Sequence, residues 1–233
     1  MANFGFVHLA VAAPYEPHWR EAKSAIGAEN LLQSAKSAER LAEAVAGCTL
    51  VIGTGTLTHR KPEQSVVPLP ALAPIVEQEL ARGGRIALIF GPEKRGLTRD
   101  DLTLCHLLVE IPTHPRQPSM NLGQAVAVCL YEIASRAESS KSVHRQVSES
   151  AVERADSDDP ATSRDLDLLA AVIEQVMAEA NYSPATMQKA NRHDLELLLR
   201  RLALTRQDTR RILGVFRRIL WQLKRGAGPD HVE

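Results

Sequence analysis

The sequence predicts an α/β protein: a mostly parallel sheet with flanking helices, followed by a small all-α C-terminal domain. Across residues 5–136, short apolar runs bounded by glycine or proline alternate with helical patterns, as in parallel sheets. Residues 138–163 are rich in serine and acidic residues and lack apolar periodicity, which indicates a flexible linker. Three amphipathic helical patterns follow. The predicted domains are therefore 1–137 and 164–226.

The first domain contains four strand patterns, each β-rich and bounded by glycine, proline or polar residues. The predicted strands are residues 3–14, 48–54, 85–90 and 107–111. Helical periodicity predicts helices over residues 22–32, 37–47, 71–82 and 121–136. We expect Ser37 to cap the second of these helices and Gly47 to end it. Thr98 is expected to cap a further helical turn, with Asp100 and Asp101 in structural roles.

The C-terminal part has three helical patterns, over 164–180, about 186–204 and 205–225. Thr205 is a good candidate for the N-cap of the last helix. The residues between 57 and 69 are polar and read as a loop, which either contacts RNA phosphates or is simply solvated.

Composition places the chain among ordinary globular proteins, with 44% hydrophobic and 24% charged residues and a net charge of zero. Cys48, Cys105 and Cys129 lack the spacing of a metal or redox motif, so we expect reduced thiols packed in a core. No apolar run approaches the roughly 18 residues of a membrane span, and there is no signal peptide. We therefore expect a cytoplasmic protein without a metal site.

Three loops follow predicted strands, where the ligands of open α/β sheets bind. One is Gly53–Thr56, whose glycines allow close approach of a ligand and whose threonines offer hydrogen bonds. The second is Gly91–Leu97 and the third is Ile111–Leu122. The third leads into the apolar helix predicted over 121–136.

The second and third loops carry a specific pair of motifs. Ile-Phe-Gly-Pro-Glu-Lys-Arg-Gly-Leu (89–97) and Ile-Pro-Thr-x5-Ser-Met-Asn-Leu-x-Gln-Ala-Val (111–126) resemble motifs 2 and 3 of the SPOUT methyltransferases. The TrmH/TrmJ family of RNA ribose 2'-O-methyltransferases is the most similar branch, and the TrmJ type is nearest. The resemblance implies a trefoil knot in the C-terminal part of the sheet, S-adenosylmethionine as cofactor, and a homodimer.

The resemblance also implies the substrate, a tRNA methylated in the anticodon loop at nucleotide 32. The helical C-terminal extension favours tRNA, because TrmH-like enzymes acting on rRNA usually carry their RNA-binding domain at the N-terminus. Methylation of rRNA by a TrmH-type enzyme remains the alternative within the class.

Site residues follow from the matched motifs. The implied cofactor-binding residues are Thr54, Gly55, Thr56, Gly91, Ile111, Pro118, Ser119 and Met120, and the implied catalytic residues are Glu93, Ser119 and Asn121. Pro118 departs from the family, which has serine or a similar small residue there, and removes one N–H donor. Asn121 could equally cap the following helix, and the two roles are compatible.

One family feature has no counterpart in these 233 residues. In the family, a first strand and motif 1, with an arginine usually treated as catalytic, precede the segment that matches residues 3–14. An internal methionine taken as the start, a truncated chain or a genuine short form would each account for this. A catalytically inactive RNA-binding protein is therefore the alternative from another class.

The tail is strongly basic. From Lys189 to Arg225 it has eleven Lys or Arg residues against three acidic ones, an excess that suits RNA phosphates, with a solvated helix face as the alternative. The predicted RNA-binding residues are Arg60, Lys94, Arg95, Arg200, Arg201, Arg210, Arg211, Arg217 and Arg218.

Overall fold

The computed structural model describes residues 1–14, 19–21, 25–55, 62–144, 159–182, 184 and 186–226. The described chain is an α/β fold with parallel sheets and flanking helices, as predicted. Its strands are β1 (Ala10–Ala12), β2 (Lys36–Ala38), β3 (Leu50–Thr54), β4 (Ser65–Pro68), β5 (Ile86–Ile89) and β6 (Leu107–Glu110). Its helices are α1 (Glu29–Ser34), α2 (Leu41–Val45), α3 (Leu72–Ala81), α4 (Arg99–Thr103), α5 (Leu122–His144), α6 (Ser163–Glu179), α7 (Gln188–Arg201) and α8 (Arg206–Gly226).

The main sheet has the strand order β4-β6-β3-β5, and all of its pairs are parallel. Strand β3 lies inside it, with Gly53 opposite Ile89 of β5 and Thr54 opposite Val109 of β6. β1 and β2 form a separate parallel pair. Because β3, β5 and β6 run in the same direction, their carboxyl ends lie side by side.

Both faces of the main sheet are covered, which explains why its inner strands are continuous apolar runs. Val51 and Leu108 pack on one face with Val45, Leu97 and Cys105. On the other face, Ile52, Leu107 and Val109 pack with Leu72 and Val76 of α3 and with Cys129 of α5.

The three cysteines are free thiols; Cys105 and Cys129 are buried and Cys48 is partly buried. Burial raises the pKa of Cys105 to about 12 and that of Cys129 to about 11. A thiol that stays protonated at neutral pH is a poor nucleophile, so both act as small apolar core residues.

Two predicted elements differ in the structure. Ser37 belongs to strand β2, and α2 begins at Leu41 without a side-chain cap. The helix predicted over 37–47 is therefore present but shorter, and its predicted cap at Ser37 is wrong. Residues 65–68 form strand β4, where a polar loop was predicted. Both strands have only three or four residues, and each exists through pairing, β2 with β1 and β4 with β6. Such short strands have too few residues for a recognisable alternation.

Helix α5 continues to His144, well into the segment predicted as a linker, and residues 145–158 of that segment lie outside the described residues. Beyond them, α6, α7 and α8 pack on a shared apolar cluster that includes Leu169, Ile173, Leu199 and Leu213. Thr205 caps α8 as predicted, since its Oγ1 accepts from the Asp208 backbone N–H at 3.1 Å.

The helical tail packs against the sheet part of the chain. The Ser163 backbone N–H donates to the Cys48 carbonyl at 2.8 Å, and the Arg164 N–H donates to the Ala46 carbonyl at 3.0 Å. Helix α7 contacts α4. The first turn of α6 is thereby attached to the segment that leads into β3.

Arg200 differs from its prediction as an RNA-binding cation, because its side chain is only 1% exposed. Its Nη2 donates to Asp167 Oδ1 at 2.8 Å, and its Nη1 donates to the Glu196 carbonyl at 3.2 Å. Helix periodicity alone did not separate this arginine from its neighbour Arg201, which is exposed. In this structure Arg200 joins α7 to α6 and is not available at the surface.

The ion pair of Arg200 leads to a stability prediction. Asp167→Ala leaves a buried guanidinium without its anion, so we expect the free energy of unfolding to fall by roughly 2–3 kcal/mol in urea titrations. Arg200→Met, which replaces the cation by an apolar side chain of similar length, should cost less than Asp167→Ala. The exposed Arg192, which pairs with Glu196 at 3.0 Å, supplies the control Arg192→Ala, expected within about 0.5 kcal/mol of the parent. Equal losses for Asp167→Ala and Arg200→Met would contradict this account.

His106, at the start of β6, is held next to this pair. Its Nδ1 accepts from the Val51 backbone N–H at 3.0 Å. Burial, with a smaller contribution from the charge of Arg200, lowers the pKa of His106 to about 3. The imidazole is therefore neutral in the folded protein at every ordinary pH.

The lowered pKa makes stability depend on pH. An unfolded histidine titrates near pH 6.5, so below about that pH the unfolded chain binds a proton that the folded chain does not. We expect this histidine to reduce the free energy of unfolding by up to about 1.4 kcal/mol per pH unit on acidification from about pH 6 to about pH 4. His106→Asn keeps an acceptor for Val51 but does not titrate, so its pH dependence should be flatter. His8→Asn, at an exposed position, is the control and should follow the parent; a parallel curve for His106→Asn would count against the assignment.

Candidate active site

The carboxyl ends of β3, β5 and β6 bring three loops to one edge of the main sheet, as the motifs predict. Thr54 ends β3 and is followed by Gly55, Gly91 lies two residues after β5, and Ile111 directly follows β6. Thr54 is buried, and its Oγ1 donates to the Ile89 carbonyl at 2.9 Å, which ties β3 to β5 at this edge. Thr56 lies outside the described residues.

The loop over residues 91–97 is a tight turn that only glycine permits at its start. A side chain at Gly91 would overlap the backbone of Gly96 and Leu97, because the two ends of the loop touch there. The Gly96 N–H donates to the Pro92 carbonyl at 2.7 Å, and Gly96 has a left-handed backbone with φ 63°. Buried Leu97 anchors the end of the turn.

The loop over residues 111–121 is closed by its own polar groups. Thr113 Oγ1 donates to the Pro118 carbonyl at 3.2 Å, and the Gln117 N–H donates to the His114 carbonyl at 2.8 Å. Ser119 is exposed, whereas Pro118 and Met120 are partly buried. The loop therefore offers a hydroxyl beside two apolar side chains.

Asn121 joins this loop to the long helix α5. Its Oδ1 accepts from the backbone N–H groups of Gly123 at 2.9 Å and Gln124 at 3.3 Å, which is the N-cap arrangement. Its Nδ2 donates to Glu93 Oε1 at 2.7 Å, and the Leu122 N–H approaches the same oxygen at 3.4 Å. Asn121 thus caps the helix and also holds the carboxylate of Glu93.

Glu93 is exposed, and its carboxylate lies at the N-terminus of α5, where the helix dipole favours a negative charge. Both hydrogen bonds go to Oε1 of Glu93, and neither involves Oε2. A carboxylate fixed in this way can accept a hydrogen bond from a hydroxyl or pair with a cation. Lys94 and Arg95 follow it and are exposed. The structure therefore brings Glu93, Ser119 and Asn121 together with two cations at the edge where the three loops meet.

Comparison with known proteins identifies the family of the chain. The sequence profile of the SpoU rRNA Methylase family matches residues 1–131, which is more than half of the chain. The chain belongs to that family. Its SpoU region contains all the strands of both sheets and the first part of α5.

Curated relatives resemble the SpoU region. The tRNA (cytidine/uridine/adenosine-2'-O-)-methyltransferase TrmJ of Pseudomonas aeruginosa (strain UCBPP-PA14) is 36% identical over 134 residues, 57% of this chain and 52% of that protein. The tRNA (cytidine/uridine-2'-O-)-methyltransferase TrmJ of Yersinia enterocolitica is 33% identical over 138 residues, 57% of this chain and 51% of that protein. The chain matches about half the length of these relatives.

A solved structure resembles most of the chain. TrmJ from Z. mobilis ZM4 superposes with a TM-score of 0.77 and 26% sequence identity, covering 94% of this chain and 89% of that one. The likeness extends past the SpoU region into the helical tail. It supports one arrangement of sheet and tail in both proteins.

The predicted RNA-binding cations of this SpoU-family chain lie in two places. Lys94 and Arg95 are on the loop after β5, and exposed arginines lie at the end of α7 and along α8; these are Arg201, Arg210, Arg211, Arg217 and Arg218. Arg60 lies outside the described residues. The exposed set is therefore divided between the site and the tail.

Sequence reasoning missed a cleft between these two places. It has a volume of about 430 Å³ and is lined by residues that include Arg95, Leu97, Arg99 and Gln64 from the SpoU region and His193 from α7. Arg99 Nε donates to His193 Nε2 at 3.3 Å across it. No local signal could reveal the cleft, because its walls are almost a hundred residues apart in the chain.

The described residues show neither a metal-binding group nor a membrane-spanning helix. In that part of the chain, no group of three or more His, Cys, Asp or Glu side chains is arranged to hold a metal ion. None of the described helices is both long enough and apolar enough to cross a membrane.

The double role of Asn121 gives a prediction. Asn121→Ala removes the cap of α5 and a donor to Glu93, so we expect about 1–2 kcal/mol less stability in chemical denaturation. Asn121→Asp retains a good cap but places a second carboxylate beside Glu93. Repulsion between the two carboxylates should therefore make Asn121→Asp less stable than the parent at neutral pH, and added salt should reduce the difference. If Asn121→Asp matches the parent at neutral pH, the contact with Glu93 is not present in solution.

Proposed function

We propose that the chain methylates the ribose 2'-hydroxyl of tRNA with S-adenosylmethionine as methyl donor, in the anticodon loop at nucleotide 32. The observation that carries the proposal is the fixed carboxylate of Glu93, held by Asn121 where the three loops of a SpoU-family sheet meet. The tRNA substrate is the one that the matched TrmJ relatives act on by name. This substrate implies a cytoplasmic protein.

The residues at the sheet edge suit the methyl donor. Gly55 is exposed and a side chain there would meet nothing within 4 Å, so the backbone after β3 is open to a ligand. Partly exposed apolar side chains suit the adenine ring, and loop backbone groups can read its edge. The proposed binding residues are Thr54, Gly55, Thr56, Gly91, Ile111, Pro118, Ser119 and Met120.

The bound donor supplies a methyl group on a sulfonium, and the protein supplies position. Methyl transfer needs the acceptor oxygen in line with the S–CH3 bond, and holding two reactants in that geometry lowers the barrier by several kcal/mol. Glu93 orients the acceptor ribose or the arginine that the family carries in motif 1. Ser119, exposed in the same cluster, binds the phosphate of the acceptor nucleotide.

The wider architecture follows from the same family. We propose that the C-terminal part of the sheet threads a trefoil knot, and that residues 164–226 form an all-α RNA-recognition domain. We also propose a homodimer that packs through α5, where Val128 and Tyr131 are 38% and 58% exposed. Exposed large apolar side chains one turn apart on a helix favour a protein contact.

The alternative substrate is rRNA. It is favoured by the name of the matched family, SpoU rRNA Methylase. The two substrates can be separated by offering each RNA in turn.

Methyl transfer from labelled S-adenosylmethionine to a tRNA transcript tests the proposal. We expect transfer to the transcript and none when the acceptor is a 2'-deoxynucleotide, with donor binding in the micromolar range by calorimetry. Glu93→Gln should lower the turnover about 10²-fold because positioning is lost, while the donor Kd stays within about threefold. Glu179→Gln, at the exposed end of α6, is the matched control.

Each negative result has its own meaning. Binding of the tRNA without methyl transfer would favour a catalytically inactive RNA-binding protein, and transfer to rRNA alone would select the alternative substrate. Absence of donor binding on this chain and on an upstream-extended one would reject the methyltransferase proposal.

A further inference from the structure

Helix α8 carries a tryptophan in the middle of a basic face. Its inward side contains buried or partly buried residues, Thr209, Leu213, Phe216, Leu220 and Leu223. At 3.6 residues per turn, six exposed residues lie along one flank of this inward side. They are Arg210, Arg217, Arg218, Trp221, Lys224 and Arg225, which we call the basic face.

Trp221 is 41% exposed, and the core does not hold its ring. The guanidinium carbon of Arg218 lies 4.2 Å from the centre of a Trp221 ring, and that of Arg225 lies 4.4 Å from it. These residues precede and follow Trp221 by three and four positions, so one face of the helix presents all three. An indole kept at the surface by two cations is arranged for contact with something outside the chain.

Gly214 provides an independent observation on the same face. It lies two turns before Trp221 and inside the helix, where glycine costs about 1 kcal/mol relative to alanine. A side chain there would meet nothing within 4 Å, so packing within the chain does not require glycine. Helical side chains lean towards the N-terminus, which turns the indole towards this open stretch of backbone. The basic face therefore includes a stretch of backbone without a side chain two turns before its aromatic ring.

We propose that Trp221 stacks on an unpaired nucleobase of RNA while Arg218 and Arg225 bind the neighbouring phosphates. Every base has a face that can stack on an aromatic ring, and such contacts are typical of single-stranded nucleic-acid binding. When a base stacks on the Trp221 ring, it takes the place of the guanidinium of Arg218 or Arg225. The displaced arginine then lies next to the phosphate of the same nucleotide and can pair with it. This proposal rests on the proposed function, which makes RNA the substrate. It adds that Trp221 recognises an unpaired segment of that RNA.

Charge selects RNA over a second copy of the chain as the occupant. Helix α8 contains seven Lys or Arg residues and one acidic residue, Asp208. A two-fold interface through the basic face would oppose the same cations from both copies. A single strand of RNA supplies exposed bases that can stack on the ring and negative phosphates that can pair with the cations.

Fluorescence of Trp221 tests stacking directly. The chain has two tryptophans, so Trp19→Phe leaves Trp221 as the only one. We expect an unstructured oligoribonucleotide of about ten residues to quench its emission. Heparin, a polyanion without bases, and an abasic form of the same oligonucleotide should quench it far less.

Affinity tests the same contact by substitution. Trp221→Ala should raise the Kd for the oligonucleotide about tenfold, and Trp221→Phe, which keeps a ring, should raise it less. The double variant Arg218→Ala/Arg225→Ala should make the slope of log K against log salt concentration shallower, by the amount expected for the loss of about two phosphate contacts. Gly214→Leu fills the open space and should weaken binding without lowering the Tm. Leu168→Ala and Arg164→Ala, exposed on α6, are the matched apolar and cationic controls and should bind like the parent.

The proposal is overturned if Trp221→Ala binds within twofold of the parent, if RNA leaves Trp221 emission unchanged, or if heparin quenches as strongly as RNA. It is also overturned if Trp221→Ala dissociates a dimer while RNA binding is unchanged. Calorimetry with S-adenosylmethionine, run on the same variants, keeps the two proposals apart. Quenching by RNA, with no S-adenosylmethionine binding on this chain or on an upstream-extended one, would retain the stacking site and reject the methyltransferase proposal. S-adenosylmethionine binding without quenching by RNA would reject the stacking site and retain the methyltransferase proposal.

Discussion

Strand β3 lies between β5 and β6, and this pairing on both sides determines where the site can form. A side chain at Gly53 would lie 2.7 Å from Cys105 Sγ and 2.8 Å from Leu108 Cδ2, so the absence of a side chain lets the chain that leads into β6 pack against β3. With the three strands parallel and adjacent, the loops that follow them must share one edge. The chemistry of that edge then depends on which residues the loops carry.

The bond between Glu93 and Asn121 couples this edge to the longest helix of the fold. One amide side chain satisfies orphan N–H groups at the start of α5 and fixes the carboxylate of a loop 28 residues earlier. Stability of the helix and geometry of the site therefore depend on the same residue. A long helix makes a rigid support, and a rigid support is what a reaction governed by positioning requires.

The tail uses arginine for two different purposes. Arg200 is buried against Asp167 and joins α7 to α6 near the start of β6. Arg218 and Arg225 of α8 instead stay exposed on the ring of Trp221. The Ser163 bond to Cys48 attaches the tail on the sequence segment before β3. RNA held on the basic face of α8 and a ribose held beside Glu93 would then be contacts of one packed molecule.

Elements with local signals could be predicted from the amino-acid sequence. Strands β3, β5 and β6 follow from continuous apolar runs, α3 and α8 from helical periodicity, and the cap at Thr205 from residues within one turn. The position of the three loops, each directly after a predicted strand, also predicted that they lie at the carboxyl edge of the sheet. Four other features could not be predicted and are seen only in the folded chain. They are strands β2 and β4, the burial of Arg200, the hydrogen bond from Asn121 to Glu93, and the exposure of Trp221 between two arginines. Each of these features depends on partners that are distant in the chain or on which helix face the core covers. A local sequence pattern carries no information about either.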